Sequence, residues 1–147
     1  MTHAIRIHEH GGPDVMKWEA IEVGAPGQKE LRLRHTAVGL NYIDTYHRTG
    51  LYKIPLPSVI GREAAGVVDA VGADVTEFKV GDRVAYASAP IGSYSEARLI
   101  AADRVVKVPD GVTDQQAASM MLKGMIAQYL LHRTFALKAG DTILFHA

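Results

Sequence analysis

Residues 41–52 read NYIDTYHRTGLY. Three tyrosines, Tyr42, Tyr46 and Tyr52, stand among an amide (Asn41), a carboxylate (Asp44) and a hydroxyl (Thr45), with Ile43 between them. No clean helical or strand period runs through the stretch. Such a mixture suits a flat, carbonyl-bearing ligand, because aromatic faces stack on rings and a phenol donates a hydrogen bond to a carbonyl oxygen. The same residues also have a plain structural use. Tyrosines pack loops onto sheets, and Asp44 can bond its own backbone in a turn. From the residues alone both readings stand open. Farther along, Lys123 and Tyr129 carry a cation and a phenol on a helical pattern. Lys123 could hold a phosphate or ribose oxygen, or simply face solvent.

Other chemistries are weaker. The 147 residues include no cysteine, which excludes disulfides, thiolate zinc sites and cysteine nucleophiles. Of the seven histidines, His8 and His10 could face one way on a strand, but hydrogen-bonded or exposed imidazoles are the ordinary reading. No metal site is expected. There is no P-loop, no Gly-x-Ser-x-Gly elbow and no paired-carboxylate constellation. Sixteen Lys plus Arg balance sixteen Asp plus Glu, so no basic excess points to nucleic acid or an anionic membrane. The start, MTHAIRIHEHGG, lacks the basic end and apolar core of a signal peptide, and no apolar run is long enough to span a bilayer. The cysteine-free composition fits a reducing cytoplasm, the expected location.

The elements that must position these residues fall into two textures. Residues 4–10, 16–23, 30–40, 66–72, 80–86, 93–102 and 105–109 read as short strands separated by glycine and proline turns, the pattern of a barrel or sandwich. Leu31 and Leu33 alternate with Arg32 and Arg34, as on a half-buried strand. Residues 41–52 should hold a short helical turn and then a loop. From Val112 the pattern becomes helical: Thr113 and Gln116 form a capping box. Lys123-Gly124 is expected to interrupt the helix, since glycine costs about 1 kcal/mol in a helix interior. The helix resumes to Thr134, and Thr142, Ile143, Leu144 and Phe145 read as a buried strand after the turn at residues 138–141.

Several phrases together resemble the medium-chain dehydrogenase/reductase superfamily. GREAAGVVDAVGADVTEFKVGDRVAY at residues 61–86 looks like its signature. GLNYIDTYHRTGLY, KGMIAQYLLHRT and GDTILFHA look like its quinone oxidoreductase branch, the zeta-crystallin-like enzymes. The resemblance covers essentially the whole chain. It implies a mainly β fold with helices: a GroES-like, partly open β-barrel over residues 1–123. Residues 124–147 would then be the first helix and strand of a truncated Rossmann α/β domain. It implies NADPH in the cleft between the domains, with a hydride or electrons passed to a quinone or another conjugated carbonyl, and a homodimer for the full-length protein. By resemblance, Asn41, Tyr42, Ile43, Asp44, Thr45 and Tyr46 lie along the nicotinamide side, Lys123 and Tyr129 approach the cofactor, and Tyr52 sits near the quinone. Asn41 and Tyr52 are the residues expected to act on the substrate carbonyl.

The departures from relatives are informative. Zinc-dependent members have a cysteine near the position of Asn41 and a histidine in a Gly-His-Glu motif, which here reads Gly61-Arg62-Glu63. Both ligands are gone, and a permanently cationic arginine repels a metal. NADPH without zinc is therefore the expected cofactor. Arg62 puts a cation near the cleft, or pairs with Glu63 or another acid. Ile126 stands where many members of the branch have threonine, keeping the β-branch but losing the hydroxyl. The glycine-rich turn that would follow a first Rossmann strand does not occur in these residues, so the fragment is expected to be inactive alone. Its uncovered residues 124–147 are expected to self-associate. Two rival readings remain: an enal or enone reductase, and a non-enzymatic interaction module.

Overall fold

The computed structural model describes residues 1–87 and 89–146. In chain order the elements are β1 (Thr2–Ile7), β2 (Lys17–Ile21), β3 (Glu30–Gly39), α1 (Tyr42–Thr49), β4 (Ser58–Val59), β5 (Glu63–Val71), β6 (Arg83–Tyr86), β7 (Ala97–Ala101), β8 (Val106–Lys107) and α2 (Asp114–Gln128). They form two antiparallel sheets, one ordered β2-β1-β4 and the other β7-β3-β5-β6-β8. A bridge between Ala4 and Ser95 joins the sheets. It is reinforced by the Ile5 N–H donating to the Tyr94 carbonyl at 2.7 Å and the Glu96 N–H donating to the His3 carbonyl at 2.9 Å. No ladder among the described residues closes the two sheets into a full barrel.

The patterning explains the main core. Leu31 and Leu33 on β3 point inward with Ala64 and Val68 of β5, Val84 and Tyr86 of β6, and Ile100 of β7. Arg32 is turned outward and paired with Asp69 at 2.8 Å. Strand β5 starts at Glu63, three residues before the stretch that looks like a strand in sequence, because Glu63 is in register with Gly39. Strand β7 is shorter than expected. Residues 93–96 turn and lend their backbone to the other sheet.

Helix α2 lies against the larger sheet through small side chains. Ala117 and Ala118 pack with Ala65 and Ala85, which lets helix and sheet approach closely. Thr113 caps the helix as the sequence predicts, accepting from the Gln116 N–H at 3.2 Å. The first turn is pinned by Asp114, which accepts from Arg83 Nη2 and Thr36 Oγ1, both at 2.6 Å.

Two expectations for the C-terminal part are corrected. The helix is not interrupted at Lys123-Gly124 but runs unbroken to Gln128, and Tyr129–Thr134 then widens into a π-helical turn. A glycine weakens a helix by about 1 kcal/mol, which a capped and docked helix tolerates. Residues 142–145 form no strand. An isolated strand has no ladder to satisfy its N–H and C=O groups, and among the described residues no neighbouring strand pairs with it. Among the described residues no helix is long and apolar enough to cross a membrane.

Candidate functional site

Helix α1 carries the aromatic-polar stretch. Asn41 precedes it in extended conformation, and its N–H donates to Asp44 Oδ2 at 3.1 Å, while the Asp44 N–H donates back to the Asn41 carbonyl at 2.9 Å. Asp44 is thus the local backbone-bonding residue that one sequence reading expects. It is also more than that. The Tyr94 hydroxyl, from the junction of the two sheets, donates to the same Oδ2 at 2.9 Å. Oδ1 is buried without a hydrogen-bond partner among the described residues. Burial pushes the Asp44 carboxyl above its ordinary value, against the pull of the Tyr94 and Asn41 hydrogen bonds. Burial likewise drives the Tyr94 phenol upward, with the adjacent carboxylate adding to the effect. Gly61 makes this contact feasible. Its φ is +97°, and a Cβ there would lie 2.3 Å from Ser93 Oγ and from the Tyr94 ring.

One turn along α1 the tyrosines form a ladder. Tyr42 meets Tyr46 edge-to-face at 5.2 Å, and Tyr46 meets Tyr52 at 5.4 Å. Tyr42 is 75% exposed and Tyr52 49% exposed, so their rings are offered outward rather than packed beneath the loop. The Tyr52 N–H donates to the Tyr46 carbonyl at 3.2 Å, which fixes the loop after the helix. Thr45 bonds the Tyr42 carbonyl through its hydroxyl at 2.7 Å, and Ile43 is half-buried. Buried His47 lies beside Tyr52, its pKa lowered by burial and then by the Arg62 charge.

The other half of the site joins at Glu63. This carboxylate heads β5 and is 0% exposed. Its Oε2 accepts from Asn41 Nδ2 at 2.7 Å, and its Oε1 accepts from the Leu122 N–H of α2 at 2.9 Å. Lys123 reaches back from the helix to Asn41 Oδ1 at 2.8 Å and lies 3.6 Å from Glu63 Oε2. Asn41, Glu63 and Lys123 thus form a single relay linking α1, β5 and α2. Gly39 permits the approach: a Cβ there would sit 2.0 Å from the Ala118 carbonyl oxygen and 2.9 Å from Glu63 Oε2.

A family profile for the alcohol dehydrogenase GroES-like domain matches residues 27–110. The chain belongs to this family. It is similar to a quinone oxidoreductase of Pseudomonas aeruginosa, at 52% identity over the whole of this chain and 46% of that protein. It is also similar to a 2-haloacrylate reductase of a Burkholderia species, at 49% identity over the whole chain and 46% of the relative. Among solved structures, the Escherichia coli quinone oxidoreductase complexed with NADPH superposes with a TM-score of 0.90 at 42% identity, covering 94% of this chain and 42% of that one. The chain therefore spans about half the length of the relatives it matches.

Set against the sequence expectations, the structure brings Asn41 and Lys123 into direct contact and gathers Tyr42, Tyr46 and Tyr52 into one ladder. It does not bring Tyr129 to them. That residue is exposed at the start of the π-helical turn, and no described side-chain contact joins it to the relay. His8 and His10 lie beyond β1 and part ways: His8 pairs with Glu19 at 3.1 Å, and His10 bonds the His47 carbonyl at the end of α1. A groove of about 480 Å³ borders the site at Gly39, Leu40 and Tyr94, with Ile5, Trp18 and Val38 among its walls, but none of Asn41, Glu63 and Lys123 lines it. Sequence reasoning missed Glu63 as the hub and Tyr94 as the partner of Asp44. Glu63 had a signal. A carboxylate at the head of the small, apolar run Ala64-Ala65-Gly66-Val67-Val68 must be buried, and a buried carboxylate must find donors. Tyr94 had none, because its partner lies fifty residues away.

Proposed function

We propose that this chain supplies the barrel side of an NADPH-dependent, zinc-independent quinone oxidoreductase, with residues 124–147 beginning the cofactor-binding domain. The observation that carries the reading is the exposed tyrosine ladder beside the Asn41–Glu63–Lys123 relay. Exposed aromatic rings, set edge to face, and a cation with spare N–H capacity flank Asn41, and together they fit a nicotinamide nucleotide. The NADPH-complexed relative supports the cofactor assignment. When bound, NADPH would supply the hydride. Asn41, Tyr42, Ile43, Asp44, Thr45 and Tyr46 would line its nicotinamide side. Lys123 would offer an N–H to a ribose or phosphate oxygen, and the exposed Tyr129 would approach from the end of α2. The exposed Tyr52 phenol would donate a hydrogen bond to the quinone oxygen as negative charge develops there.

The zinc-independent part rests on the chemistry of the residues. The Asn41 side chain is committed to Glu63 and Lys123. Arg62 is close enough for its charge to lower the pKa of both Asp44 and His47. A second cation would be repelled there.

A second reading is reduction of an electron-poor carbon–carbon double bond, favoured by the 2-haloacrylate reductase relative at 49% identity. The deciding experiment measures NADPH oxidation by the protein with 1,4-benzoquinone and with 2-chloroacrylate in parallel, after NADPH titration of the 147-residue chain alone. Faster turnover of the quinone supports the first reading, and faster turnover of the acrylate replaces it with the second. No NADPH oxidation with either acceptor by the full-length protein would leave the interaction-module reading, whereas none by the 147-residue chain alone is the expected result.

A further inference from the structure

We infer that Glu63 is a positioning residue that fixes the direction of the Asn41 amide and, through it together with its own 3.6 Å ion pair, holds the Lys123 ammonium at the open face of the site. This goes beyond the cofactor contacts proposed above, although the ligand it serves rests on that reading.

The argument is one of donors and acceptors. Three groups converge on the relay from α2 and α1. The Leu122 N–H is a donor only and Lys123 Nζ is a donor only, whereas the Asn41 amide has one donor end and one acceptor end. Lys123 needs an acceptor, so Asn41 must turn Oδ1 toward it, as it does at 2.8 Å. That leaves Nδ2 facing Glu63, 2.7 Å from Oε2. The Leu122 N–H, in the body of α2, takes Oε1 at 2.9 Å. A group with two acceptor ends and no donor satisfies every member, and a carboxylate is such a group.

An amide of the same shape cannot do this. With glutamine at position 63, placing the oxygen on Leu122 puts the NH2 against Asn41. Asn41 must then reverse and turn its own NH2 toward the ammonium. Placing the oxygen on Asn41 instead sets two donors face to face at Leu122. The first arrangement takes the Asn41 acceptor from the ammonium, and the second leaves two donors facing each other where Glu63 has no exposed surface. Two further observations make the arrangement a built one. Gly39 vacates the space that Glu63 Oε2 occupies. Meanwhile the Lys123 side chain stays 58% exposed, with its inner side held by Asn41 and its outer side open. The ligand this suits is an anionic or oxygen-rich group, such as a phosphate or a ribose hydroxyl.

The test uses NMR on the isotope-labelled 147-residue chain. In the wild-type chain the Asn41 side-chain NH2 protons are expected to show contacts to Glu63 Hγ, and the Lys123 ammonium to exchange slowly enough to be observed, with Lys123→Met identifying the signal. In Glu63→Gln the ammonium is expected to exchange faster by about ten-fold, the worth of one hydrogen bond to a charged group. Unchanged ammonium exchange in a folded Glu63→Gln chain would overturn the inference. So would wild-type contacts placing the Asn41 NH2 beside the Lys123 methylenes, and that measurement needs no variant to fold. NADPH affinity of the same samples separates the two claims. Loss of protection in Glu63→Gln with weaker NADPH binding supports both, whereas loss of protection with unaltered NADPH binding keeps the positioning role and overturns the cofactor contact.

Discussion

Replacing Gly39 with alanine adds a single methyl group where helix α2 rests on the sheet. The new Cβ would lie 2.0 Å from the Ala118 carbonyl oxygen, a backbone atom that cannot rotate away, and within 2.9 Å of Glu63 Cγ and Oε2. The helix must retreat by at least about 1 Å for this contact to become tolerable. A shift of that size carries the Leu122 N–H out of hydrogen-bond range of Glu63 and stretches the Lys123–Asn41 bond beyond it. Overpacking contributes about 1–3 kcal/mol. Leaving the buried carboxylate short of a donor contributes about 1–3 kcal/mol more. The expected loss is therefore about 2–6 kcal/mol, seen as a lower urea midpoint and a Tm lower by roughly 6 °C or more for a chain of this size. The control is the same substitution at Gly124, in the same helix, where an added Cβ meets nothing within 4 Å. There alanine is expected to raise stability by about 0.5–1 kcal/mol. Urea unfolding followed by far-ultraviolet circular dichroism measures both. A loss below about 1 kcal/mol for Gly39→Ala, or equal effects at the two sites, would refute the view that close backbone approach sets the position of α2.

Other consequences follow from the same contacts. Burial holds the half-buried His35 at about 4 instead of its ordinary 6.5, with its ring nitrogens on the Ser95 carbonyl at 2.6 Å and the Tyr86 hydroxyl at 2.9 Å. The unfolded chain therefore takes up this proton first as pH falls. Stability should be full above 6.5 and decline toward pH 4, by at most about 3 kcal/mol. In His35→Gln that part of the pH dependence should vanish from urea titrations. Tyr94→Phe removes a donor from buried Asp44 and should destabilise by about 1.5–3 kcal/mol. It should also raise the Asp44 pKa further, as read from its carboxyl carbon shift, since the Tyr94 bond lowers it. Thr113→Ala loses the cap of α2 and should reduce stability by about 1 kcal/mol in the same urea assay. Tyr52→Phe in the active protein should lower kcat/KM for the quinone by about ten-fold or more while NADPH affinity holds. An unaltered kcat/KM would remove Tyr52 from the reaction.

Local pattern was enough for much of this protein. The alternation of Leu31 and Leu33 with arginines placed β3, the Thr113–Gln116 spacing placed the start of α2, and the mixture of tyrosines with polar groups at residues 41–52 marked the exposed ladder. These features rest on neighbours in sequence, where side-chain period and capping geometry act directly. What the sequence could not decide depends on atoms brought together from afar. Whether Thr142–Phe145 forms a strand depends on a neighbouring strand, and no apolar run carries that information by itself. Whether Gly124 breaks α2 depends on the docking of the preceding turns. Most of all, Asn41, Glu63 and Lys123 are separated by twenty-two and sixty residues, yet they share a few ångströms because Gly39 lacks a side chain where the Ala118 carbonyl approaches. Their residue types allowed many pairings. Only the packing of α2 on the sheet selected the one in which every donor meets an acceptor.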